Sequence, residues 1–222
     1  MHRLLRRKQL LPQKLLTCTM PIKRRDNRMI EVYTQNLDNT WFAVALNKQQ
    51  IVTSSFGSDQ KTALNNILGK LPCNVPFQVF HEPIASAKTA LSALKCIYDG
   101  KEIKTPIPLA TSHLPAYTKK VLTATLTIPL GYITSYGLIA KAVGGGPRAV
   151  GNIMASNPFA PIVPCHRVVR TNFTLGGYGF GLRVKAELLR KEKRGFSSMK
   201  EIEVNGGLLT IYPVENVLKN FD

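Results

Sequence analysis

Ser135-Tyr136-Gly137-Leu138-Ile139-Ala140-Lys141-Ala142-Val143-Gly144-Gly145-Gly146-Pro147-Arg148-Ala149-Val150-Gly151-Asn152-Ile153-Met154-Ala155-Ser156 is the stretch whose reading decides the fold. It reads as two short helices broken once. Thr134 or Ser135 offers a capping hydroxyl for a helix from Tyr136 to Val143. Gly144 to Pro147 cannot continue that helix. A second helix is expected from Arg148 to about Ser156, stopping before Asn157-Pro158, because the residue before a proline is pushed out of helical geometry. Two short helices across a tight glycine-rich turn form a helix-turn-helix signature. Gly151, without a side chain, leaves room on the second helix for close approach of another backbone.

Charge supports a polyanionic partner for this pair. The 222-residue chain carries 30 Lys and Arg against 13 Asp and Glu, a formal net charge of +17. The excess is not spread evenly. Residues 1–28 hold nine basic and one acidic side chain, and residues 111–196 hold twelve and two. Residues 29–110 are close to neutral, and residues 197–222 are slightly acidic. Segregated positive charge of this kind points to nucleic acid. The hydrophobic fraction of 44% is that of an ordinary globular protein with material for a core. No apolar run is long enough to span a bilayer. Cys18, Cys73, Cys96 and Cys165 are widely spaced without a Cys-x-x-Cys pair, which argues against a zinc ribbon or a secreted disulfide framework. A zinc site from Cys18, Cys73 and His81 has no recognised spacing.

Downstream of the helix pair stands Pro161-Ile162-Val163-Pro164-Cys165-His166-Arg167-Val168-Val169. A proline-flanked turn holds a thiol in one pose, and neighbouring His and Arg favour the reactive thiolate. Taken alone, a lone cysteine is more often a small buried hydrophobe. Leu175 to Gly181 reads as a flexible glycine-rich loop, and Leu182 to Lys193 as a last helix with Val184, Leu188 and Leu189 on one side. Pro115 fits the first turn of a helix through Val121, Leu122 and Leu126, ended by Thr127 to Gly131.

The front of the chain has a different texture. Glu31 to Phe56 reads as strands, with a hairpin around Asn47-Lys48. Asp59 caps a helix to about Leu68, Phe77 to Phe80 is a short strand, and Ala85 to about Tyr98 is a helix ending at Asp99-Gly100. This small α+β unit carries no catalytic constellation and reads as scaffold. The expected division is therefore a basic extension at 1–28, an α+β unit at 29–110, a helix-turn-helix unit at 111–196, and a tail of unknown role at 197–222 holding a strand from Gly207 to Tyr212. For residues 1–28 three readings stay open: an organelle-targeting segment, a DNA-tethering arm, or sequence upstream of a start at Met20 or Met29.

Over residues 115–196 the sequence resembles the O6-alkylguanine-DNA alkyltransferases, the suicide DNA-repair proteins. The resemblance is carried by Gly131-Tyr132-Ile133-Thr134-Ser135-Tyr136, Arg148-Ala149-Val150-Gly151, Asn157-Pro158, Val163-Pro164-Cys165-His166-Arg167-Val168, Gly177-Tyr178, and Lys185 with Leu188-Leu189 after Leu182, in that order. Residues 29–110 resemble the family's variable N-terminal domain only weakly, through the strand pattern and Phe56-Gly57, and both ends of the chain fall outside the resemblance.

The resemblance implies an α/β (α+β) fold, with a small RNase H-like α+β N-terminal domain followed by a winged helix-turn-helix-like C-terminal domain. It implies double-stranded DNA containing O6-alkylguanine as partner, with O4-alkylthymine as a second substrate. The damaged base is flipped out of the duplex, because its O6 substituent is unreachable in the stack. Cys165 matches the alkyl acceptor, His166 the base that acts on the thiol through a water, Glu192 the carboxylate that orients the histidine, and Asn157 the brace of this network. Tyr136 matches the phenol that stabilises the leaving guanine oxygen and helps rotate the phosphate, and Arg148 the finger that fills the place of the flipped base. Ala149 and Gly151 match small residues of a helix laid in the minor groove. The carbonyls of Cys165 and Val168 match acceptors for the guanine amine, Tyr178 and Gly179 the lid over the base, and Met154 the pocket's apolar wall.

The implied reaction uses each molecule once and needs no cofactor or metal. It implies a monomer, free of membrane, in the cytoplasm, or in the nucleus of a eukaryote. Non-repairing relatives carry tryptophan in place of the cysteine, and Cys165 is intact. Two positions depart from the pattern: Phe180 replaces a small glycine in the lid, and the turn from Gly144 to Pro147 is shortened. From the residues alone, two rivals remain. A helix-turn-helix regulator with an inert Cys165 binds DNA without alkyl uptake; a Cys165-His166 hydrolase turns over and leaves the basic segment unexplained.

Overall fold

The computed structural model describes residues 29–72, 74–103 and 105–219. Its first unit opens with a meander of β1 (Ile30–Leu37), β2 (Thr40–Asn47) and β3 (Gln50–Gly57). The connecting pairs Asp38-Asn39 and Lys48-Gln49 all have positive φ, the geometry of a two-residue hairpin turn. Asp and Asn adopt that conformation readily, whereas Lys and Gln do not. The second hairpin therefore turns one residue later than the expected Asn47-Lys48, with Asn47 opposite Gln50 in the ladder.

β4 (Phe77–Phe80) runs parallel to β1, giving the sheet order β3-β2-β1-β4. Strand alternation splits the side chains between two helices. Ala43 and Ala45 of β2 pack with Ala63 and Ile67 of α1 (Gln60–Leu68). Phe42, Val44 and Leu46 pack instead with Leu91 and Leu94 of α2 (Ala85–Tyr98). Asp59 caps α1, accepting from the Thr62 amide at 2.8 Å.

The second unit comprises α3 (Ala116–Leu126), β5 (Tyr132–Ser135), α4 (Tyr136–Val143), α5 (Pro147–Ala155), a 3-10 turn at Cys165–Arg167, β6 (Val168–Val169) and α6 (Leu182–Lys191). It continues into β7 (Lys200–Val204), β8 (Gly207–Pro213) and α7 (Glu215–Leu218). The second sheet has the order β6-β5-β8-β7, with Ile133 opposite Tyr212 and Thr134 opposite Val168. Residues 200–218, within the segment set apart as a tail, thus complete the sheet beside the helix pair. β8 is the strand expected at Gly207 to Tyr212, whereas β5, β6 and β7 are additions to the sequence reading. Pro115 caps α3 instead of entering its first turn.

The two units share one core. The α2 side of the first sheet runs on into Val121, Ile139, Val150, Met154 and Leu188. Polar contacts join them as well. The Ser54 amide and the Thr53 hydroxyl of β3 both donate to the Pro158 carbonyl, at 2.9 and 2.8 Å. Ser54 Oγ donates to the Ala160 carbonyl at 3.0 Å. The edge strand of the first sheet thereby grips the segment that leads into Cys165. Among the described residues no helix is long and apolar enough to cross a membrane. Residues 1–28, with Cys18, and Cys73 lie outside the described residues.

Candidate active site

Cys165 opens the 3-10 turn, its amide donating to the Val163 carbonyl at 2.8 Å, and only 6% of its surface is exposed. Burial pushes its thiol pKa up, and this outweighs the hydrogen bond from Asn157 and the positive charges of Lys185 and Lys70, which pull it down. Neighbouring groups favour the anion, as the sequence suggests, though they are Asn157, Lys185 and Lys70, and desolvation outweighs them. Activation has to come from proton removal. Asn157 is buried, its amide donating to the Val163 carbonyl at 2.9 Å while its oxygen accepts from the Phe159 amide at 3.0 Å. One side chain thereby clamps the start and the end of the 159–163 segment that delivers the chain to Cys165.

Behind the cysteine lies a buried ionic cluster. His166 Nε2 and Glu192 Oε1 are 2.8 Å apart. Arg167 grips the same carboxylate with two donors, Nε to Oε2 and Nη2 to Oε1, both at 2.9 Å, and donates a third bond to the Ile128 carbonyl at 2.6 Å. Burial alone would raise the Glu192 pKa, but the cationic partners and their hydrogen bonds hold it down at about 2. His166 and then Arg167 contribute to that depression, and Arg167 gives the carboxylate a permanent countercharge whatever the state of His166. Burial lowers its pKa, against the pull of Glu192. The resulting state is a neutral imidazole that donates from Nε2 to an ionised Glu192. Its Nδ1 is buried and has no protein hydrogen-bond partner among the described residues. That lone pair is the basic atom of the site.

The lid is anchored from below by Lys185. This side chain is fully buried, and Nζ donates to the carbonyls of Val168 and Leu175 at 2.6 Å and of Gly177 at 3.3 Å. Burial lowers its pKa to about 8. The Val168 carbonyl, an expected base acceptor, so already carries one hydrogen bond and keeps one lone pair. Tyr136, the first residue of α4, reaches toward the lid with its hydroxyl 3.5 Å from the Gly177 carbonyl. Burial raises its pKa, so it holds its proton as a donor. Gly176 has φ +67, which favours glycine, and a Cβ there would lie 3.1 Å from the Tyr136 ring and hydroxyl, a tight approach. The Tyr178 hydroxyl is buried without a protein partner among the described residues, and burial raises its pKa well above the ordinary phenol value. Gly179 is exposed beside it. Phe180, the departure in the lid, stacks on Phe56 of β3 at 4.3 Å with planes 14° apart.

The helix pair presents a separate face. Val150 and Met154 of α5 are buried, while Arg148, Ala149 and Asn152 are exposed. A Cβ on Gly151 would meet nothing within 4 Å. No internal packing among the described residues thus requires its small size. The shortened turn is pinned: Tyr117 donates to the Gly144 carbonyl at 2.9 Å, and a Cβ on Gly145 would sit 2.3 Å from the Tyr117 hydroxyl. Met154 points into the core, 3.8 Å from the Thr125 hydroxyl. The cysteine, histidine, glutamate, asparagine and both tyrosines converge on one place; Arg148, Ala149 and Gly151 lie on the outward face of α5. A cleft of about 560 Å³ between Arg170, Gly176, Arg183 and Glu187 is lined by none of the predicted residues.

Sequence reasoning missed three contributors. Arg167 stands inside the quoted motif, next to a histidine that needs a carboxylate. Lys185 precedes Leu188 and Leu189 by three and four residues, and a lysine on the apolar stripe of a helix is a signal. Lys70 carries no sequence signal; its contacts arise only from tertiary structure. Among the described residues no group of three or more His, Cys, Asp or Glu side chains is placed to hold a metal.

Comparison with known proteins agrees with this geometry. Residues 116–194 match the family described as 6-O-methylguanine DNA methyltransferase, DNA binding domain. A methylated-DNA–protein-cysteine methyltransferase of Pyrobaculum aerophilum is 54% identical over 67 residues, 30% of this chain and 45% of that protein. One from Methanocaldococcus jannaschii is 45% identical over 88 residues, 40% of this chain and 52% of that protein. The chain thus spans about half the length of these curated relatives. The crystal structure of O6-methylguanine-DNA methyltransferase from Pyrococcus kodakaraensis superposes with a TM-score of 0.58 at 25% identity, covering 74% of this chain and 99% of that one. Mycobacterium tuberculosis OGT in complex with DNA gives 0.56 at 25% identity, covering 73% and 92%.

Proposed function

We propose, from the premise that this chain belongs through residues 116–194 to the O6-methylguanine-DNA methyltransferase family, that it reverses O6-alkylguanine damage in duplex DNA by moving the alkyl group to Cys165. The observation that carries the reading is the buried line of groups at the thiol. Cys165 is followed by an imidazole whose Nδ1 has no protein partner among the described residues and whose Nε2 is held by an ionised Glu192.

In this mechanism the thiol proton passes through a water to His166 Nδ1, and Glu192 stabilises the imidazolium that forms. Sγ attacks the alkyl carbon, the carbon–O6 bond breaks, and the guanine leaves with the bonding pair. Tyr136, which keeps its proton, donates to the developing charge on the guanine. The departing guanine anion takes up a proton from water while the His166 imidazolium releases the thiol proton to water, so guanine ends neutral, His166 is restored and the cysteine ends as a thioether. Nothing in this sequence of steps regenerates the thiol, so each molecule acts once.

On the DNA side, α5 lies in the minor groove, Ala149 and Gly151 face the backbone, and Arg148 takes the place of the extruded base. The exposure of Arg148 and Ala149 and the open space at Gly151 support that assignment. Residues 111–196 form the acceptor and DNA-binding domain, residues 29–110 its support, and residues 1–28 a basic extension that adds electrostatic affinity. The protein works as a monomer, in the cytoplasm or the nucleus where its DNA resides. O4-alkylthymine is a second substrate by the same chemistry.

The test is incubation with DNA carrying labelled O6-methylguanine, followed by peptide mapping. One label per molecule on the Cys165 peptide is expected. Turnover, or label on Cys18, Cys73 or Cys96, refutes the acceptor assignment.

A further inference from the structure

The first unit does more than cover the second. Lys70 follows α1 in the turn that closes it, its amide donating to the Ile67 carbonyl at 2.9 Å. From there the side chain crosses to the second unit. Nζ donates to the Asn157 carbonyl at 3.1 Å and lies 5.3 Å from the centre of the Phe180 ring. Both partners matter for the thiol. Asn157 is the side chain that braces Cys165, and Phe180 belongs to the lid. The same face of the first unit adds Phe56, stacked on Phe180, and the hydroxyls of Thr53 and Ser54 on the 158–160 segment. A partly buried ammonium is costly unless its location compensates for the lost water. Among the described residues this one has a carbonyl acceptor and an aromatic face. An anion at Cys165 would further favour its charged form.

We propose that Lys70 is a positioning residue for the acceptor thiol: from the first unit, its ammonium ties the Asn157 carbonyl to the Phe180 ring and places positive charge on the side where Cys165 becomes a thiolate. The inference deepens the alkyl-acceptor reading and rests on it. It also gives Phe180 a role. The ring that replaces a glycine in the lid provides both a stacking partner for Phe56 and a face for the ammonium. Lys70 and Cys165 favour one another's charged forms, against the burial that opposes each of them.

Other charged and titratable groups surround the thiol. Lys185 approaches from α6, the phenols of Tyr136 and Tyr178 from α4 and the lid, and the His166–Glu192–Arg167 cluster lies behind. Substituting Lys70 leaves all of these in place, and Lys70→Gln, whose amide can still donate to Asn157, separates its charge from its hydrogen bond.

The experiment follows the rate at which iodoacetamide alkylates Cys165 in the full chain, read at the Cys165 peptide by mass spectrometry, from about pH 6 to about pH 10. Lys70→Met should slow the reaction about tenfold at neutral pH, because losing the positive charge that favours the thiolate lowers the thiolate fraction. The loss should shrink toward high pH, where Lys70, its pKa lowered by burial, gives up the proton that carries its charge and the wild type comes to resemble the variant. Lys70→Arg, which keeps the charge, should stay within about threefold of the wild type. Should Lys70→Met fail to fold, Lys70→Gln, whose amide can still donate to Asn157, carries the same comparison. No change, or an equal loss at every pH, overturns the proposal, since a purely structural role would not move the profile along the pH axis. Transfer from O6-methylguanine in DNA by the wild type is measured in parallel. Its absence would refute the acceptor reading, while the alkylation profile would still decide the charge effect of Lys70.

Discussion

Replacing Glu192 by Gln removes the charge on which the buried cluster turns. The carboxylate is held at about 2, against an ordinary value of 4.5. Its folded pKa is depressed, so its stabilising contribution is full above the unfolded pKa and is lost as pH falls from about 4.5 toward 2. The difference of about 2.5 units corresponds to about 3 kcal/mol at neutral pH. The amide of the variant resembles the protonated acid in shape, so Glu192→Gln should lose about that much stability at pH 7. At about pH 3 the unfolded chain carries this carboxyl mostly protonated while the folded protein still holds it mostly ionised, and the gap should shrink to about 1 kcal/mol. Urea unfolding of both proteins between about pH 3 and pH 7, followed by far-ultraviolet circular dichroism, measures the gap directly. A difference that stays constant across that range would show that the cluster's worth lies in packing, and the ionised-glutamate account would fall. Transfer from free O6-benzylguanine should fall in the same variant, because His166 loses the anion that stabilises its protonated form.

Arg148→Ala should slow repair in duplex DNA far more than reaction with free O6-benzylguanine, which requires no flipping; unstacking costs on the order of a few kcal/mol and each 1.36 kcal/mol is about tenfold in rate. Both rates are taken at saturating substrate, and equal losses would remove the finger role. Cys165→Ala should abolish transfer and retain DNA binding in a gel-shift titration; a folded variant that loses binding contradicts the separation of chemistry from docking. Lys185→Met strands the carbonyls of Val168, Leu175 and Gly177, and a buried unpaired group costs about 1–3 kcal/mol. Its melting temperature should drop and proteolysis at the lid should rise, and an unchanged melting curve would refute the anchoring role. Removing residues 1–28 should flatten the salt dependence of DNA binding while leaving single-turnover transfer at saturation intact; lost transfer at saturation would make that segment part of the working site.

The elements that were legible in the sequence are those whose signals are local. Asp59 caps α1 and Ser135 caps α4, as a carboxylate and a hydroxyl at those positions suggest. Gly144 to Pro147 breaks the helix pair where expected, and the alternation of β2 sorts its side chains onto two faces. The short strands were hidden for the opposite reason. β5 spans four residues and β6 two, and neither shows a period of its own. They are strands because Ile133 meets Tyr212 and Thr134 meets Val168, contacts made by distant parts of the chain. The site divides in the same way. The positions of Cys165, His166 and Asn157 lie in one motif-rich stretch, and Glu192 required the resemblance, since a glutamate at a helix end is ordinary. Lys70 lies 87 residues before Asn157 in sequence, and nothing around it distinguishes it from a surface lysine.

The raised thiol pKa bears on the proposed reaction, in which each molecule acts once. A standing thiolate is the form that oxidants and stray electrophiles attack. Cys165 is almost wholly buried, and its desolvation favours the protonated form. The groups that favour the anion are individually modest: a hydrogen bond from Asn157 and the charges of Lys185 and Lys70. Desolvation outweighs them and raises the pKa, and in the proposed reaction His166 takes the proton. In the proposed reaction, bringing an alkylated base over the thiol supplies the electrophile at the moment of proton transfer, and the nearby cations then stabilise the charge as it develops. Reactivity is thereby confined to the loaded site, and this requires that the supporting charges come from both units of the fold, Lys185 from α6 and Lys70 from the turn after α1.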